Sequence, residues 1–234
     1  MKLAQTDIEY IENVVKTSIS IGIDNVIIEK DIVRAIDDAR TVVMFQDQNV
    51  PDMPFGSVGL NRLGIFLQRL EIAKLQDNLT VDVGVDDDAA FAKAFTMRGD
   101  GIKIDYRTAN PSTIHAPRQI NDTLLYTIQL NAEAVSLLQK GHTAMGDDRV
   151  NIVSDDNGVT FVITDVNGDD MRHTFTQNVT LLDGVEDNNF THRYPIKTLL
   201  SIFKQNPEGE FSIGSKGILK INVNGLDIFV LPQV

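Results

Sequence analysis

The sequence predicts an α+β protein of two similar domains, each with antiparallel sheets and two helices packed on one face. Three observations predict this fold class: four segments with helical spacing of apolar residues, many short alternating segments bounded by turn residues, and the order of these segments. Each half of the chain reads helix, strands, helix, strands, although the halves share little residue identity. The repeat is therefore one of pattern.

Apolar residues three and four positions apart define the helices. The apolar stripes consist of Ile8, Ile11, Val15 and Ile19; of Leu60, Leu63, Phe66, Leu67 and Leu70; of Val135, Leu137 and Leu138; and of Ile196, Leu199, Leu200 and Phe203. We expect the first helix to follow a cap at Thr6 or Asp7, and the third to begin at Asn131 and run towards Gly141. The fourth should begin near Pro195, a favoured first-turn residue, and stop at Asn206-Pro207.

Strand-like segments fill the rest of each half. The first half has "NVIIEKDIVRAIDDARTVVMFQDQ", "NLTVDVGVD", "FAKAFTMRGD" and "GIKIDYRT". The second half alternates around three hairpin signals, Asn157-Gly158, Asn167-Gly168 and Asn224-Gly225. Residues 108–123 contain two prolines and little periodicity, so we interpret them as a connector between domains at 1–107 and 124–234.

Composition limits the function classes. The chain has 234 residues, 42% of them hydrophobic, and no cysteine, which excludes disulfides and thiolate metal sites and fits a reducing cytoplasm. No apolar run reaches membrane-spanning length, and we expect no signal peptide because "MKLAQTDIEY" lacks an apolar core. A net charge of −12 argues against indiscriminate adhesion to nucleic acid or anionic membrane.

The motifs of common enzymes are incomplete. Residues 209–216 resemble a phosphate-binding loop, but Ser215 precedes Lys216, the reverse of what that loop needs. The acidic stretch from Asp165 lacks the glycine and the final glutamate of a calcium loop, so we interpret it as a hairpin turn. Asp86–Asp88 is interpreted as a solvated loop, and the four histidines show no metal-ligand spacing. No cofactor and no catalytic residue is expected, although a metal-dependent nuclease using acidic loops stays open.

Cations recur on the helices. In "GLNRLGIFLQRLEIAKLQ" (59–76), Arg62 and Arg69 would lie about 20° apart on one flank of the second helix. Lys197 and Lys204 repeat the seven-residue spacing on the fourth helix, while Lys16 and Lys140 lie on the polar sides of helices one and three. Each face alone could be an ordinary solvated surface. Corresponding helices in both halves carry cations at the same spacing, which favours a common cationic surface.

With these segments in view, the chain resembles the two-domain DNA sliding clamps of eukaryotes, archaea and T-even-type bacteriophages. The resemblance rests on the order and spacing of "GIDNVIIEKDIVRAIDDARTVVMF", "MPFGSVGLNRLGIFLQRL", the segment from "TLLYTIQLNAEAVSLLQKG" to "VTFVI", and the terminal "LDIFVLPQV". The connector sequence "NPSTIHAP" is most similar to the phage branch, which would place the protein in the cytoplasm of an infected bacterial cell.

The resemblance implies a homotrimeric ring of six similar domains with pseudo-six-fold symmetry, which encircles double-stranded DNA without reading its sequence. Such clamps tether DNA polymerase for processive replication and are opened by a clamp loader ATPase; they have no catalytic residues. Residues implied to face DNA are Lys16, Arg62, Arg69, Lys140, Lys197 and Lys204. Residues implied to form a partner pocket are Ile36, Ile114, Ile120, Phe229, Leu231 and Pro232.

Subunits of such a ring join through paired strands, which removes two sheet edges at each contact. The implied interface consists of Gly101, Ile102, Lys103, Ile104, Asp105, Tyr106 and Arg107 of one subunit and Met171, Arg172, His173, Thr174, Phe175, Thr176, Gln177 and Asn178 of the next. Besides a nuclease, a β-rich virion or baseplate component remains an alternative.

Overall fold

The computed structural model describes residues 1–85, 91–117, 119–155, 158–175, 179–181 and 189–233. The chain forms two compact units, Met1–Ile120 and Asn121–Val234, and the division falls inside the segment 108–123 that we interpreted as a connector. None of the helices in the described ranges has the length and apolar character needed to cross a membrane.

In the described residues of the first unit there are two helices, seven strands and one 3-10 turn. They are α1 (Gln5–Ser20), β1 (Val26–Glu29), β2 (Val33–Ile36), β3 (Val42–Gln46), β4 (Ser57–Leu60), α2 (Leu63–Lys74), β5 (Thr80–Val85), β6 (Ala92–Gly99), β7 (Ile102–Arg107) and the turn Pro111–Thr113. Strands β3-β2-β1-β4 form one antiparallel sheet and β5-β6-β7 another.

Both helices of this unit pack on its sheets. Phe66 of α2 meets the buried aromatic rings of Phe95 and Tyr106 edge-on, at centroid distances of 5.7 and 5.0 Å. Burial of large aromatic side chains is a major source of core stability. Helix α1 contacts the other sheet, where the Tyr10 hydroxyl donates to Gln46 at 3.3 Å. The connector begins on β4, because Ala109 N donates to Gly59 O at 2.8 Å.

The part of the second unit that the structure describes contains two helices and nine strands. They are β8 (Leu124–Gln129), α3 (Ala132–Met145), β9 (Arg149–Asp155), β10 (Gly158–Thr164), β11 (Asp170–Phe175), β12 (Val179–Leu181), β13 (Phe190–Pro195), α4 (Ile196–Phe203), β14 (Glu210–Gly214), β15 (Leu219–Val223) and β16 (Leu226–Val230). Strands β12-β8-β14-β15-β16 form one antiparallel sheet and β11-β10-β9-β13 the other.

The core of the second unit is also aromatic. Phe161 of β10 lies 4.9 Å from Phe175 and 6.3 Å from Phe203, measured between ring centroids, so α4 and the β10–β11 hairpin share one cluster. Helix α3 packs closely on the same sheet at Gly141, where a methyl group would overlap the side chain of Met171. Helix α3 continues past Gly141, towards which it was predicted to run. It ends at Gly146, which has a positive φ of 72°.

The α+β class, the antiparallel sheets and the two helices of each unit are confirmed. The Asn131 cap is confirmed, since its Oδ1 accepts a hydrogen bond from Ala134 N at 2.7 Å. Asn224 and Gly225 both have positive φ and link β15 to β16 in a two-residue turn, as their type predicts. Asp165 accepts hydrogen bonds from the backbone of the β10–β11 turn, which confirms a hairpin there. Asn157 lies outside the described residues.

Several details of the helix predictions were wrong. Helix α1 begins at Gln5 after Ala4, and Asp7 instead accepts a hydrogen bond from Ala4 N as the third helical residue. Leu60 lies in β4 rather than in α2, because a buried apolar residue at a strand end fits the helical spacing equally well. Ile19 is exposed while Val14 and Ser18 are buried, so the buried face of α1 is rotated from the predicted one. Strands β4, β8, β12 and β13 were not predicted.

Candidate nucleic-acid interface and partner cavity

The polar side of α1 carries a carboxylate shared by two lysines. Glu12 Oε1 lies 2.9 Å from Lys16 Nζ, and the other oxygen accepts a hydrogen bond from Lys74 at the end of α2. The Glu12 side chain is only 11% exposed, against 54% for Lys16 and 32% for Lys74. Lys74 was not among the predicted site residues, because its partner comes from a different helix.

This arrangement shifts the pKa of Glu12 and that of Lys16. Burial by itself raises the pKa of the Glu12 carboxyl, but hydrogen bonds and positive charge from Lys74 and Lys16 outweigh it, so the pKa lies below its ordinary value. The hydrogen bond to Glu12 raises the pKa of Lys16. Lys16 is therefore charged at neutral pH, yet part of its field is cancelled by Glu12.

Arg62 does not lie in a helix, so its predicted angular position beside Arg69 is wrong. It precedes α2 with a left-handed backbone, φ 53° and ψ 49°. Its guanidinium donates to Arg107 O at 3.2 Å and lies 5.6 Å from the centre of the Tyr106 ring. The side chain follows the edge of the β5-β6-β7 sheet, where unpaired carbonyl groups are available.

Arg69 occupies the same sheet edge from within α2. It donates to Asp105 O at 2.8 Å and lies 6.0 Å from the centre of the Tyr106 ring. The exposed side of α2 mixes polar and apolar residues: Ile65 and Ile72 are exposed beside Gln68 and Glu71, and Leu75 directly after the helix is exposed as well. Spacing alone predicted a cationic face here; the guanidinium groups turn away because backbone acceptors lie within their reach.

In the second unit the predicted cations are exposed. Lys140 lies on the outer side of α3 beside Ser136 and Thr143, Lys197 lies in the first turn of α4, and Lys204 follows the last turn of α4. Lys197 Nζ lies 2.7 Å from Asp148 Oδ1, with both side chains about 70% exposed. Hydrogen bonding and charge from Lys197 lower the pKa of Asp148. An ion pair this exposed is weak, so Lys197 remains free to meet an anionic ligand.

The helices as a group are neutral in a strongly acidic chain. Their cations are Lys16, Arg69, Lys74, Lys140 and Lys197; their anions are Asp7, Glu9, Glu12, Glu71 and Glu133. The whole net charge of −12 therefore lies outside the four helices. The strands carry no acidic excess either, so the negative charge lies in the segments between helices and strands, and the helices are less cationic than the spacing of the arginines predicted.

Ile36 and Ile114, two of the predicted pocket residues, line one cavity of about 400 Å³ in the first unit. Its other walls are mostly polar and consist of Asn25, Asp37, Asp38, Arg40, Asn61, Ala109, Thr113 and His115. Asp37 fixes the loop that forms one side, since its Oδ1 accepts hydrogen bonds from Thr41 N and Val42 N, each at 2.7 Å. Ile120 is half-buried and does not contribute to this cavity.

The remaining predicted pocket residues lie at the end of the second unit. Phe229 is half-buried on β16, with Lys220 Nζ 5.6 Å from the centre of its ring. Leu231 is half-buried, and Pro232 lines a groove of about 420 Å³ with Asn151, Thr191, His192, Arg193 and Gln233. Gln233 N donates to Arg193 O at 2.7 Å, which holds the tail along β13. This groove could not be predicted from the sequence, because it depends on the contact between β13 and the tail.

The two predicted subunit-contact segments correspond to strands. Ile102–Arg107 form β7, preceded by Gly101 at a positive φ of 77°. Met171–Phe175 belong to β11, which also includes Asp170. Thr176, Gln177 and Asn178 lie outside the described residues, as do Asp86–Asp88. Within the described ranges, no group of three or more histidine or acidic side chains is arranged to hold a metal ion.

The fold is that of the PCNA-like sliding clamps. PCNA of A. fulgidus, in a structure with the C-terminal region of FEN-1, is 13% identical with a TM-score of 0.66, covering 97% of this chain and 96% of that chain. Proliferating cellular nuclear antigen of Entamoeba histolytica is 18% identical (TM-score 0.60; coverage 96% and 95%), and PCNA of Thermococcus kodakaraensis is 16% identical (0.62; 97% and 97%). No family model and no curated protein matches the sequence.

Proposed function

We propose that this protein is a DNA sliding clamp: a homotrimeric ring that encircles duplex DNA and tethers a DNA polymerase for processive synthesis. The observation that carries the proposal is the similarity of fold to three PCNA structures over at least 96% of the chain. The ring is opened by a separate ATP-driven loader, and the chain itself performs no chemistry. The connector "NPSTIHAP" supports placing it with the T-even-type phage clamps and in the infected bacterial cell.

The charge distribution supports a ring that holds DNA loosely. Three copies carry about −36, which repels a duplex whose phosphates recur every ~1.7 Å of axis. The helices carry no net charge, so a hole lined by them repels DNA less than the acidic connecting segments would. Lys16, Lys140, Lys197 and Lys204 present long side chains there, and such side chains contact phosphates without reading bases.

A mobile clamp needs these contacts to be weak. Glu12 cancels part of the field of Lys16, and Asp148 does the same for Lys197. Retention on DNA then comes from the closed ring, and the lysines lower the electrostatic barrier to movement along the duplex. Arg62 and Arg69 are committed to the edge of β7 and contribute less to this surface than the exposed lysines.

The cavity of the first unit is suited to a short partner segment. Ile36 and Ile114 offer apolar contacts, while Asn25, Asn61 and His115 supply polar groups around them. A. fulgidus PCNA is described in complex with the C-terminal region of another protein, FEN-1. By analogy, we propose that a terminal segment of the polymerase binds this cavity.

The DNA-facing surface is tested by reversing charge at matched positions. Lys197→Glu with Lys204→Glu alters α4, whereas Lys30→Glu with Lys216→Glu makes the same charge change in turns between strands. With the cognate loader and ATP on primed circular DNA, the α4 double variant should shorten synthesis at least tenfold while the turn variant behaves like the parent. Equal processivity of the two variants would show that α4 does not belong to the DNA-facing surface. Failure of the unmodified protein to stimulate its polymerase would remove the clamp proposal itself.

A further inference from the structure

The sheet β3-β2-β1-β4 has one face on α1 and one face turned away from it. Met44 of β3 faces α1, because Ser18 Oγ donates to its sulfur at 3.8 Å. Ala35 of β2 pairs with Met44 and shares that face. Since side chains alternate along a strand, Arg34 and Ile36 point to the opposite side. We call this opposite side the outer face.

One row of residues runs across the outer face and continues into the connector. Ile27 of β1 pairs with Arg34 on one side and with Gly59 of β4 on the other. Ala109 extends the row, since it forms an isolated bridge with Gly59 at the sheet edge. Neighbouring strands lie about 4.8 Å apart, so Ala109 and Arg34 are separated by about 14 Å across the sheet.

The connector segment 109–116 is longer than this separation. Fully extended, it could reach about 24 Å. The 3-10 turn Pro111–Thr113 takes up the excess, and Asn110 fixes that turn because its Oδ1 accepts a hydrogen bond from Ser112 N at 3.0 Å. The segment therefore has the length to rise from the sheet edge and return over the outer face. We call residues 109–116 the connector arch.

Gly59 holds the first end of the connector arch. Its carbonyl oxygen accepts a hydrogen bond from Ala109 N at 2.8 Å. A methyl group at position 59 would lie 2.7 Å from Ala109 O and 2.9 Å from Ile114 Cδ1. Non-bonded carbon atoms pack best at about 3.5–4.0 Å, so any side chain here would displace the arch. The φ of Gly59 is not positive, so close approach rather than backbone conformation requires the glycine.

Arg34 holds the second end of the connector arch. One guanidinium nitrogen, Nη2, donates to Glu29 Oε1 at 2.8 Å, and the other, Nη1, donates to Ala116 O at 3.5 Å. The side chain is only 13% exposed, and its Nε has no hydrogen-bond partner among the described residues. A buried charge depends on the few partners that it has. Loss of either contact would leave this guanidinium poorly satisfied.

The partner cavity lies beside the connector arch on the same face. Two residues further along the three strands that carry Arg34, Ile27 and Gly59, the cavity is lined by Ile36, Asn25 and Asn61. The arch supplies Ile114, which lines the cavity while touching the space above Gly59. The position of Ile114, and with it the width of the cavity, therefore depends on where the arch is held.

We infer that Gly59 and Arg34 are positioning residues, which hold the connector arch so that Ile114 is in place before a partner segment arrives. This inference rests on the proposed function of the cavity. Neither residue lines the cavity, so both act through Ile114 rather than by touching the partner. A site that is ordered before binding loses less conformational entropy on binding, so an arch held at both ends favours affinity.

The mobility of the arch is tested without a partner. Because the chain has no cysteine, Ser112→Cys gives one attachment site for a nitroxide spin label, on an exposed residue of the 3-10 turn. In this background, Gly59→Ala and Arg34→Met should each shorten the rotational correlation time of the label at least about twofold. Contacts that only stabilised the sheet would lower the free energy of unfolding and leave the label in the folded protein unchanged.

Two matched controls separate the arch from general effects of the substitutions. Gly84→Ala also adds a methyl group to a strand glycine, but that group meets nothing closer than 3.7 Å. Arg98→Met also removes a strand arginine with a carboxylate partner, Asp82 at 3.3 Å, and does so away from the connector. Both controls should give the label mobility of the parent.

Affinity for a partner is the second readout. Fluorescence anisotropy with a labelled C-terminal peptide of the cognate polymerase should show binding weakened about tenfold by Gly59→Ala and about fivefold by Arg34→Met, with both controls unchanged. Urea denaturation shows whether each variant is folded under the binding conditions. The two anchors are independent, so either variant decides the outcome if the other does not fold.

The outcomes distinguish this inference from the function on which it rests. Label mobility equal to that of the parent in the folded variants, or peptide affinity equal to that of the parent, would overturn the role of Gly59 and Arg34. A parent protein that binds no peptide would instead refute the cavity as the partner site, and with it the role of the arch in binding, even where the variants release the label.

Discussion

The carboxylate between α1 and α2 gives a prediction that the structure makes quantitative. Glu12→Gln keeps the shape of the side chain and removes its charge, which leaves Lys16 and Lys74 without a counter-charge. An exposed ion pair contributes at most about 1 kcal/mol, whereas removing one member of a fully buried pair costs about 3–5 kcal/mol. Glu12 is 11% exposed but its lysines are 54% and 32% exposed, so we expect a loss of about 1–2 kcal/mol at pH 7.

The sign of the pH dependence follows from the direction of the pKa shift. Because the folded state holds the pKa of Glu12 below its ordinary value of 4.5, its contribution is complete above that value and disappears as pH falls through the lower, folded-state pKa. The difference between parent and variant should therefore shrink towards zero in acid. Urea denaturation at a series of pH values measures it.

Glu9→Gln is the matched control. Glu9 lies on the same helix but is exposed, and Gln5 Nε2 donates to it at 2.9 Å. Its removal should change the free energy of unfolding by less than about 0.5 kcal/mol. A Glu12 variant as stable as the parent at pH 7, or a deficit that persists unchanged in acid, would refute the assignment of a stabilising charge pair.

Three further outcomes are expected. Glu12→Gln should also strengthen non-specific binding of duplex DNA at low salt, since it unmasks one cation per subunit; filter binding across a salt series measures this, and unaltered affinity would place Lys16 away from DNA. Ile36→Asp should weaken binding of a C-terminal peptide of the cognate polymerase at least tenfold by fluorescence anisotropy, with Ile65→Asp as a control isoleucine outside the cavity; equal binding by both would discard the cavity. Asn131→Ala should lower the free energy of unfolding by about 1 kcal/mol through loss of the α3 cap, and Asn131→Asp should restore most of it, as urea denaturation would show.

Local signals predicted the fold well where one residue type has one structural use. Asn224-Gly225 and the Asn131 cap are such cases, because few residues accept positive φ or cap a helix by side chain. Leu60 is the opposite case: an apolar residue next to a helical stripe fits either a strand end or a first turn. Strand β13 escaped prediction because its alternation ends directly at Pro195, where α4 begins.

The site was harder to predict than the fold, since side chains choose partners that are distant in sequence. Arg62 and Arg69 have the spacing of a helix face, yet they bind carbonyl groups of β7, 45 and 36 residues away. Glu12 meets Lys74 across 62 residues. Ile36 and Ile114 line one cavity, although they lie far apart in the sequence and nothing in the residues alone indicated that they would come together.

The central claim is that three copies close into a ring, and sedimentation equilibrium over a range of protein concentrations tests it most directly. A closed ring of three copies should sediment as a species of three times the 25.9 kDa chain mass, with no intermediate accumulating at high concentration. A mass of one chain at every concentration, or one that grows without limit as copies add end to end, would contradict it.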